Sequence, residues 1–437
     1  MSIREASTPP KAALITLGCP MNQVDSEEIM GGLVSLGFEI VPEEKADIIV
    51  VNTCCFIDDA RKESIDTIMS IAQLKKTANL KSLVIAGCLA ERYRAELERD
   101  LTEADAVAGL KDRAEIPNLC LELLNNKHPE DKGYSRVVTG PLHSAYLRIA
   151  EGCSNRCSYC AIPMIRGPYR SRPEAEIIGQ AEELASLGTR ELMLIAQDTT
   201  GYGIDLDDGS LPGLLMHLSE IEGIEWIRLL YAHPAHCLDV LVEAMANLPK
   251  VLPYIDIPIQ HVSPSILKRM GRFTPPEKIR TLIDKLRESI EGMVIRTSLM
   301  VGFPGETDAD FRKLIEFVED IRFERLGAFV YSREEETPAA SLDNQVPDEV
   351  AFERYETLME VQSHIAMDFH RSLVGREFEM IVDAVDSETR TLEGRSYMDA
   401  PDVDGNITAA GSVEDETAFC RVRITGADNY DLKGEVV

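Results

Sequence analysis

The sequence predicts an α/β protein with three successive domains, and three observations support this prediction. Its 437 residues exceed one ordinary globular core, because a domain has roughly 150 residues. Short apolar runs alternate with helical patterns through most of the chain, which is typical of parallel sheets covered by helices. From about Leu373 the pattern changes to short strands separated by turn residues, which is typical of a small antiparallel β-barrel.

The first domain, predicted over residues 11–128, is a doubly wound parallel sheet. Apolar runs of strand length occur at 12–17, 47–51 and 82–86. The segments that follow them have acidic residues in the first turn and apolar residues at helical spacing, which predicts helices at 25–38, 58–76 and 90–101. A polar, less periodic passage at 125–141 indicates a linker to the next domain.

The middle domain, predicted over residues 141–372, repeats strand and helix six times. Its predicted strands are 145–150, 191–196, 225–231, 253–259, 293–301 and 325–332. Six such units without a seventh or eighth indicate an open (β/α)6 sheet, which is a partial barrel. A helix predicted over 346–373 leads from it into the third domain, a small OB-like antiparallel β-barrel over 373–437.

Composition and charge narrow the class of protein and its partners. The chain has 45 Lys and Arg against 75 Asp and Glu, a formal net charge of -30, so its surface repels nucleic acid phosphate and attracts basic partners. The predicted barrel alone has 15 acidic and 6 basic residues. No apolar stretch approaches the roughly 20 residues of a membrane helix, and the first residues carry charges and prolines. We therefore expect a cytoplasmic protein, neither secreted nor inserted in a membrane.

Three cysteines form the sharpest motif, C-x3-C-x2-C, directly after the first strand of the middle domain. We call Cys153, Cys157 and Cys160 the loop trio. Three thiolates on so short a loop can bind three irons of a [4Fe-4S] cluster, and no fourth cysteine stands nearby in the sequence, which leaves the fourth iron open. A ferredoxin would complete its ligand set. A structural zinc site would need a fourth ligand, for which only His143 stands near, on the far side of the strand.

A second group of cysteines, which we call the sheet trio, lies in the first domain. Cys19, Cys54 and Cys88 each follow one of its three predicted strands. The carboxyl ends of parallel strands meet at one edge of a sheet, where ligands collect, so we expect these side chains at one site. Cys55 is the alternative to Cys54, since successive residues of an extended chain point in opposite directions. Buried free cysteine is the ordinary alternative for each of them.

The loop trio, with Tyr159 just before its last cysteine, resembles the motif of the radical S-adenosylmethionine (SAM) enzymes. The resemblance implies that the open iron binds SAM and that the reduced cluster cleaves SAM to a radical, which abstracts hydrogen from carbon. It also implies that Tyr159 packs near the adenine. Further SAM contacts are expected at the carboxyl ends of the second and fifth strands, from Gln197, Asp198, Gly302 and Gly305.

Two cysteine trios in successive α/β domains, followed by a terminal β-barrel, resemble the methylthiotransferases, in which that barrel is a TRAM domain. The resemblance covers residues 11–437. It implies two [4Fe-4S] clusters, a sulfur donor such as sulfide or polysulfide, and an electron donor such as flavodoxin or ferredoxin. One SAM would give its methyl group to sulfur at the auxiliary cluster of the sheet trio. Another would make the radical that activates the acceptor carbon.

Within that family, three segments resemble the branch that modifies the β-carbon of an aspartate in protein twelve of the small ribosomal subunit. They are PLHSAYLRIAEGCSNRCSYCAIPMIRG, WIRLLYAHP and YSREEETPAASLDNQVP. The acidic barrel agrees with a basic ribosomal protein as partner and disfavours a nucleic acid substrate. A tRNA adenosine methylthiotransferase is the alternative enzyme, and an electron carrier is the alternative without catalysis. Because every predicted ligand precedes residue 373, we expect the barrel to be removable without loss of either cluster.

Overall fold

The computed structural model describes residues 9–125, 136–413 and 419–437. Residues 126–135 of the predicted linker, and with them the predicted end of the first domain at residue 128, lie outside the described residues. Among the described residues we find no helix with the length and apolar character that a membrane crossing requires.

The chain divides into two compact units. The first contains residues up to 140 together with 152–154 and 161–168, and the second contains 141–151, 155–160 and 169–437. The loop that carries the loop trio therefore contributes Cys153 to the first unit and Cys157 and Cys160 to the second. The domain boundaries 11–128, 141–372 and 373–437 remain predictions.

The first unit is built on a parallel sheet, which in the described residues has the strand order β2-β1-β3-β4-β5. The strands are β1 (Lys11–Thr16), β2 (Glu39–Ile40), β3 (Ile48–Thr53), β4 (Ser82–Gly87) and β5 (Ala106–Ala108). The helices are α1 (Pro20–Ser35), α2 (Asp58–Ala72), α3 (Leu74–Thr77), α4 (Cys88–Arg92), α5 (Arg94–Asp100), α6 (Ile116–Leu123) and α7 (Ile162–Ile165), with 3-10 helices at Glu43–Lys45 and Leu110–Glu115. The predicted parallel sheet is confirmed.

Both faces of this sheet are covered. β3 and β4 are buried along their whole length, as expected for central strands of a parallel sheet. Alternate residues of β3 enter two different apolar cores, with Ile49 and Val51 in one and Ile48 and Val50 in the other. This packing fixes the level at which the strands end, and hence the position of the residues that follow them.

Helix boundaries near the cysteines differ from the prediction. α1 begins at Pro20, directly after Cys19 and earlier than the predicted start at residue 25, because proline is favoured at the first helical position. α4 begins at Cys88 itself, and the predicted helix 90–101 is divided into α4 and α5 at Tyr93. The edge strands β2 and β5 are absent from the prediction, since two or three residues carry no clear periodicity.

The second unit contains a parallel sheet with the order β13-β12-β11-β10-β9-β6 in the described residues, which confirms the predicted six-stranded open sheet. Its strands are β6 (Ser144–Arg148), β9 (Glu191–Ile195), β10 (Trp226–Leu229), β11 (Val251–Asp256), β12 (Val294–Val301) and β13 (Arg325–Val330), and a short antiparallel pair is formed by β7 (Ala150–Glu151) and β8 (Arg170–Ser171). The helices are α8 (Glu174–Ser186), α9 (Leu211–Glu220), α10 (Asp239–Asn247), α11 (Pro264–Met270), α12 (Pro276–Ser289), α13 (Asp308–Ile321) and α14 (Asp348–Leu373), with 3-10 helices at Thr199–Gly201 and Pro338–Ser341.

The same unit ends in a closed barrel with the order β14-β15-β16-β18-β17. Its strands are β14 (Glu377–Asp386), β15 (Thr391–Arg395), β16 (Ile407–Ala410), β17 (Phe419–Ala427) and β18 (Leu432–Val436). The predicted barrel is confirmed, with one correction to its predicted antiparallel character. β16 and β18 pair in parallel, whereas the other neighbours pair antiparallel.

Buried ion pairs join the barrel to the amino ends of the six-stranded sheet. Glu191, the first residue of β9, is fully buried and accepts hydrogen bonds at 2.8 Å from Arg228 of β10 and from Arg395 of the barrel. Arg395 continues at 2.8 Å to Asp383, and His143 also contacts Asp383 at 2.8 Å. Burial alone would raise the pKa of Glu191, but the two arginines lower it to about 2.

Two further barrel carboxylates meet the sheet. Asp399 pairs with Arg325 of β13, and Asp404 accepts a 2.6 Å hydrogen bond from the hydroxyl of Tyr254 and lies 3.5 Å from Arg296. Removing one partner of a buried pair destabilises a protein by about 3–5 kcal/mol. These contacts argue against the expectation that residues 373–437 can be removed without loss of a cluster, because deletion would take Arg395, Asp399 and Asp404 away from the sheet.

Candidate functional site

The sheet trio meets at the carboxyl edge of the first sheet, as predicted from its positions after the strands. Cys19 precedes the first turn of α1, Cys54 follows β3, and Cys88 is the first residue of α4 after β4. Cys54 and Cys88 are buried, whereas Cys19 is exposed. One side of the trio is thus open to solvent.

Asn22 ties the three strand ends together. Its side-chain amide donates to the carbonyl oxygens of Leu17 at 2.8 Å and Thr53 at 2.9 Å, and its Oδ1 lies 3.5 Å from Cys88 Sγ. Asn52 in turn donates to the Asn22 carbonyl at 2.8 Å. Sequence reasoning missed Asn22, because its role depends on α1 beginning at Pro20 and turning this side chain back over the strands.

Two glycines permit the close approach of these strand ends. Gly18 has φ +94°, and a Cβ there would stand 2.9 Å from Cys54 Sγ. Gly87 has φ +92°, and a Cβ there would collide with Asn52 and Thr53. Both positions combine a left-handed backbone with a lack of space, so each requires glycine.

Cys54 and Cys55 have different surroundings. Cys54 Sγ lies beside Gly18, which is the residue before Cys19 in the sequence. The backbone N–H of Cys54 donates to the Ser64 hydroxyl, and that hydroxyl donates to the Cys54 carbonyl. Cys55 is 1% exposed and packs in the apolar core with Ile49 and Val51. Geometry therefore favours Cys54 over Cys55 as the partner of Cys19.

Burial disfavours the thiolate forms of Cys54 and Cys88, and at Cys54 the backbone N–H of Phe56 opposes this effect on the pKa. Burial raises the pKa of the Cys54 and Cys88 thiols, and the neighbouring cysteines add to that rise. The guanidinium of Arg166 acts in the opposite direction on both. Three converging thiols beside a buried cation are a donor set that fits an iron–sulfur cluster.

In the second unit, Ser158 anchors the part of the loop that carries Cys157 and Cys160. Its N–H donates to the carbonyl of Met270 at 2.8 Å and its hydroxyl to the carbonyl of Arg269 at 2.8 Å. The Cys160 N–H closes a turn onto the Cys157 carbonyl at 3.2 Å. In the first unit, the Cys153 N–H donates to the Gly167 carbonyl at 3.1 Å.

Arg272 contacts the loop trio within the second unit. Its Nη1 lies 3.9 Å from Cys157 Sγ, and its Nη2 donates to the Pro258 carbonyl. Sequence reasoning missed Arg272, because it stands more than a hundred residues from the cysteines. The predicted adenine contact, Tyr159, packs its ring edge-on against Phe303 at a centroid distance of 6.4 Å.

The two predicted SAM contacts after β9 differ in their partners. Asp198 is buried, and its Oδ2 accepts hydrogen bonds from Asn155 of the cysteine loop at 2.8 Å and from His236 at 2.7 Å. Among the described residues, the side-chain oxygen of Gln197 is buried without a hydrogen-bond partner. A buried oxygen of this kind needs a hydrogen-bond donor, and the amino group of SAM could supply it, so Gln197 fits a SAM contact.

His233 and His236 stand beside Asp198, and the candidate ligand atoms of the three residues lie within 4.8 Å of one another. Burial lowers the pKa of His233 to about 3, whereas the hydrogen bond to Asp198 raises the pKa of His236. Burial opposes the ionisation of Asp198, but the hydrogen bonds that it accepts keep its pKa below the usual value. We interpret this group as a hydrogen-bond network that holds the cysteine loop.

Gly302 and Gly305 have packing reasons of their own. Their φ angles are +74° and +88°, and a Cβ would collide with Ala351 at Gly302 and lie 2.9 Å from the Arg269 side chain at Gly305. The buried carboxylate of Glu306 accepts a hydrogen bond from the Gly302 N–H and pairs with Arg354. The need for glycine thus has a cause within the protein, and contact with SAM stays a prediction.

Comparison with known proteins identifies the families that parts of the chain match. The family model described as "Uncharacterized protein family UPF0004" matches residues 11–109, that of the Radical SAM superfamily matches 147–318, and that of the TRAM domain matches 374–437. The chain is 46% identical over 440 residues to the ribosomal protein uS12 methylthiotransferase RimO of Geotalea uraniireducens, covering 98% of each protein. The chain belongs to the RimO family of radical SAM methylthiotransferases.

Another RimO, from Caldanaerobacter subterraneus, is 48% identical over 434 residues and covers 97% of this chain and 99% of the relative. A solved structure of the radical SAM methyltransferase TsrM from Kitasatospora setae aligns with a TM-score of 0.54 at 13% identity, covering 86% of this chain and 79% of that protein. This second likeness concerns the fold alone. As a member of the RimO family, the chain is a transferase that uses SAM and a [4Fe-4S] cluster.

Proposed function

We propose that the protein methylthiolates the β-carbon of an aspartate in ribosomal protein uS12, using two molecules of SAM and a sulfur donor. The observation that carries this proposal is the presence of two cysteine trios, of which one is local to a loop and the other is gathered from three strand ends. Relatives that carry the name of this activity match the chain over nearly its full length.

The loop trio would hold the cluster that binds SAM. When bound there, that cluster with SAM supplies a radical able to remove hydrogen from an unactivated carbon. Ser158 holds the loop against Met270, and Asp198 holds it through Asn155. Gln197 would accept a hydrogen bond from the ligand, since its buried oxygen lacks a partner within the described chain.

The sheet trio would hold the second, auxiliary cluster. Such a cluster would hold the sulfur species that is methylated and transferred, and the exposed side of Cys19 would leave access to it. Asn22 would keep the strand ends, and so the three thiolates, at a fixed separation. We favour Cys54 over Cys55 as the ligand, because Cys54 Sγ lies beside Gly18, the residue before Cys19.

The partners follow from charge and chemistry. The formal net charge of -30 favours a basic protein substrate over an RNA, and a ribosomal protein is basic. The reaction also needs sulfide or polysulfide as the source of sulfur, and an electron donor such as flavodoxin or ferredoxin. With such a substrate the enzyme would work in the cytoplasm. A tRNA adenosine methylthiotransferase is the second candidate, and the acidic surface disfavours it.

The test offers the anaerobically reconstituted enzyme purified uS12 and an unmodified tRNA in parallel, with SAM, sulfide and a reductant. Mass spectrometry should find one hydrogen of a uS12 aspartate replaced by SCH3, and an unchanged tRNA. Cys157→Ala should abolish the product, whereas Cys420→Ala, in β17 of the barrel, is the matched control and should retain it. Modification of the tRNA alone would overturn the proposed substrate.

A further inference from the structure

Arg166 is a buried cation among the residues of the sheet trio. Its side chain is 1% exposed, and its Nη2 donates to Asn22 Oδ1 at 2.7 Å and to Asp25 Oδ2 at 2.9 Å. The same nitrogen lies 3.6 Å from Cys88 Sγ. In the sequence, however, Arg166 follows the last cysteine of the loop trio by six residues. It directly follows α7, whose Ile165 packs in the same apolar core as Cys88.

Burial of this arginine needs a reason beyond its ion pair. Asp25 has a side chain 1% exposed and also pairs with Arg113, which in turn contacts Glu28 at 3.1 Å. Taking two opposite charges out of water is unfavourable unless further hydrogen bonds compensate. Here those further bonds go to Asn22 and to the thiol of Cys88, both part of the candidate cluster site.

The hydrogen-bond pattern around Asn22 changes when Cys88 is a ligand. A free Cys88 thiol can donate to Asn22 Oδ1 across their 3.5 Å separation. A metal-bound thiolate has no proton to donate, so two acceptors would then face each other. Arg166 Nη2 lies within reach of both atoms and can serve both as donor.

We propose that Arg166 is a positioning residue for the auxiliary cluster, which holds the Cys88 thiolate and makes that cluster easier to reduce. The proposal rests on the proposed function, because it assumes that the sheet trio binds a [4Fe-4S] cluster. A buried cation and a hydrogen bond to a cluster sulfur both stabilise the form that has gained an electron. Arg166 would then set the reduction potential of the auxiliary cluster from the chain segment that directly follows the loop trio.

The experiment isolates the auxiliary cluster in the full-length chain with Cys153, Cys157 and Cys160 replaced by Ala. This protein is the parent, and Arg166→Met, Arg166→Lys and Arg113→Met are made in it. Each is reconstituted anaerobically, its iron is counted, and its cluster is titrated with a reductant while the EPR signal is followed. At a fixed solution potential we expect Arg166→Met to lower the ratio of reduced to oxidised cluster about tenfold. This corresponds to a reduction potential about 59 mV lower for a one-electron couple.

The control variants separate this role from plain structural support. Arg113→Met removes an arginine from the same carboxylate and should leave the potential near that of the parent, whereas Arg166→Lys keeps the charge and should shift it less than Met. The double variant Asp25→Asn/Arg166→Met removes both members of the buried ion pair, so that a charged Asp25 is not left with Arg113 but without Arg166, and Arg113 keeps Glu28. The melting temperature of the double variant should be closer to that of the parent than the melting temperature of Arg166→Met is. Its reduction potential should stay as low as that of Arg166→Met.

Two results would overturn the inference. One is a potential and iron content in Arg166→Met equal to those of the parent. The other is an equal loss of cluster in Arg166→Met and Arg113→Met, which would reduce Arg166 to general support of Asp25. If the parent itself binds no cluster, the assignment of the sheet trio, and with it the proposed function, fails instead.

Discussion

The sheet trio and the loop trio are assembled by the chain in opposite ways. The sheet trio is gathered from the ends of three strands, and its supports Asn22 and Arg166 lie within the first unit. Cys157 and Cys160 instead stand on one turn, which is held from outside by the strand ends and helices of the second unit. The sheet of that unit is in turn joined at its amino ends to the barrel. The first site should therefore depend on its own sheet, and the second on distant parts of the chain.

The largest effect expected from this comparison follows deletion of residues 373–437. Glu191 would lose Arg395 and Arg325 would lose Asp399, and the end of the sheet that the barrel now buries would be exposed to water, although Glu191 and Arg228 would stay paired with each other. We expect cleavage of SAM to disappear and the second unit to unfold, as measured by calorimetry. Arg395→Met should lower the melting temperature clearly, whereas Arg423→Met, at an exposed pair with Glu377, should not. A truncated protein that still cleaves SAM would show that this dependence is overestimated.

Next in size is the effect of Asn22→Leu, which probes the sheet trio alone. The carbonyl oxygens of Leu17 and Thr53 would lose their donor, and each unsatisfied buried group costs about 1–3 kcal/mol. We expect loss of the iron held by the sheet trio, while cleavage of SAM continues. Asn118→Leu, at an exposed hydrogen bond with Glu115, is the matched control. Equal loss of iron from both trios would argue against the independence of the first site.

Asp198→Asn is the counterpart for the loop trio. It removes the charge from hydrogen bonds to Asn155 and His236, and bonds to a charged group contribute about 1.5–3 kcal/mol. We expect cleavage of SAM to slow by about tenfold or more, since each 1.4 kcal/mol is a factor of ten. The iron of the sheet trio should not change. An unchanged rate of SAM cleavage in this variant would show that Asp198 does not help to hold the loop.

The smallest effect concerns the pH dependence of the pair formed by His236 and Asp198. The hydrogen bond to Asp198 raises the pKa of His236 above its ordinary 6.5, although burial and Arg272 oppose this. The stability that the pair contributes is therefore fully present below pH 6.5 and is lost as the pH rises through the raised pKa. His236→Asn should lower the melting temperature more at about pH 6 than at about pH 8.5. An equal loss at both values would show that His236 is not charged in this pair.

The parts of the fold and of the candidate sites that the sequence predicts are those whose pattern lies within a short segment or within the strands of one sheet. The spacing of the loop trio is written in eight consecutive residues, and the sheet trio followed from buried strands whose ends had to coincide. Asn22, Arg166 and Arg272 were missed because their contacts span from tens of residues to more than a hundred. Asp383, Asp399 and Asp404 were counted as part of an acidic barrel surface, yet each pairs with an arginine or histidine at the join to the sheet.

The most direct test of two separate cluster sites is an iron count in three reconstituted proteins. The protein with all of its cysteines should bind about eight irons per chain, as two [4Fe-4S] clusters require. Replacement of the sheet trio by Ala should leave about four, and replacement of the loop trio should also leave about four, because each trio supplies its own three thiolates. An unchanged iron content after replacement of Cys19, Cys54 and Cys88 would contradict the account and return those cysteines to the protein core.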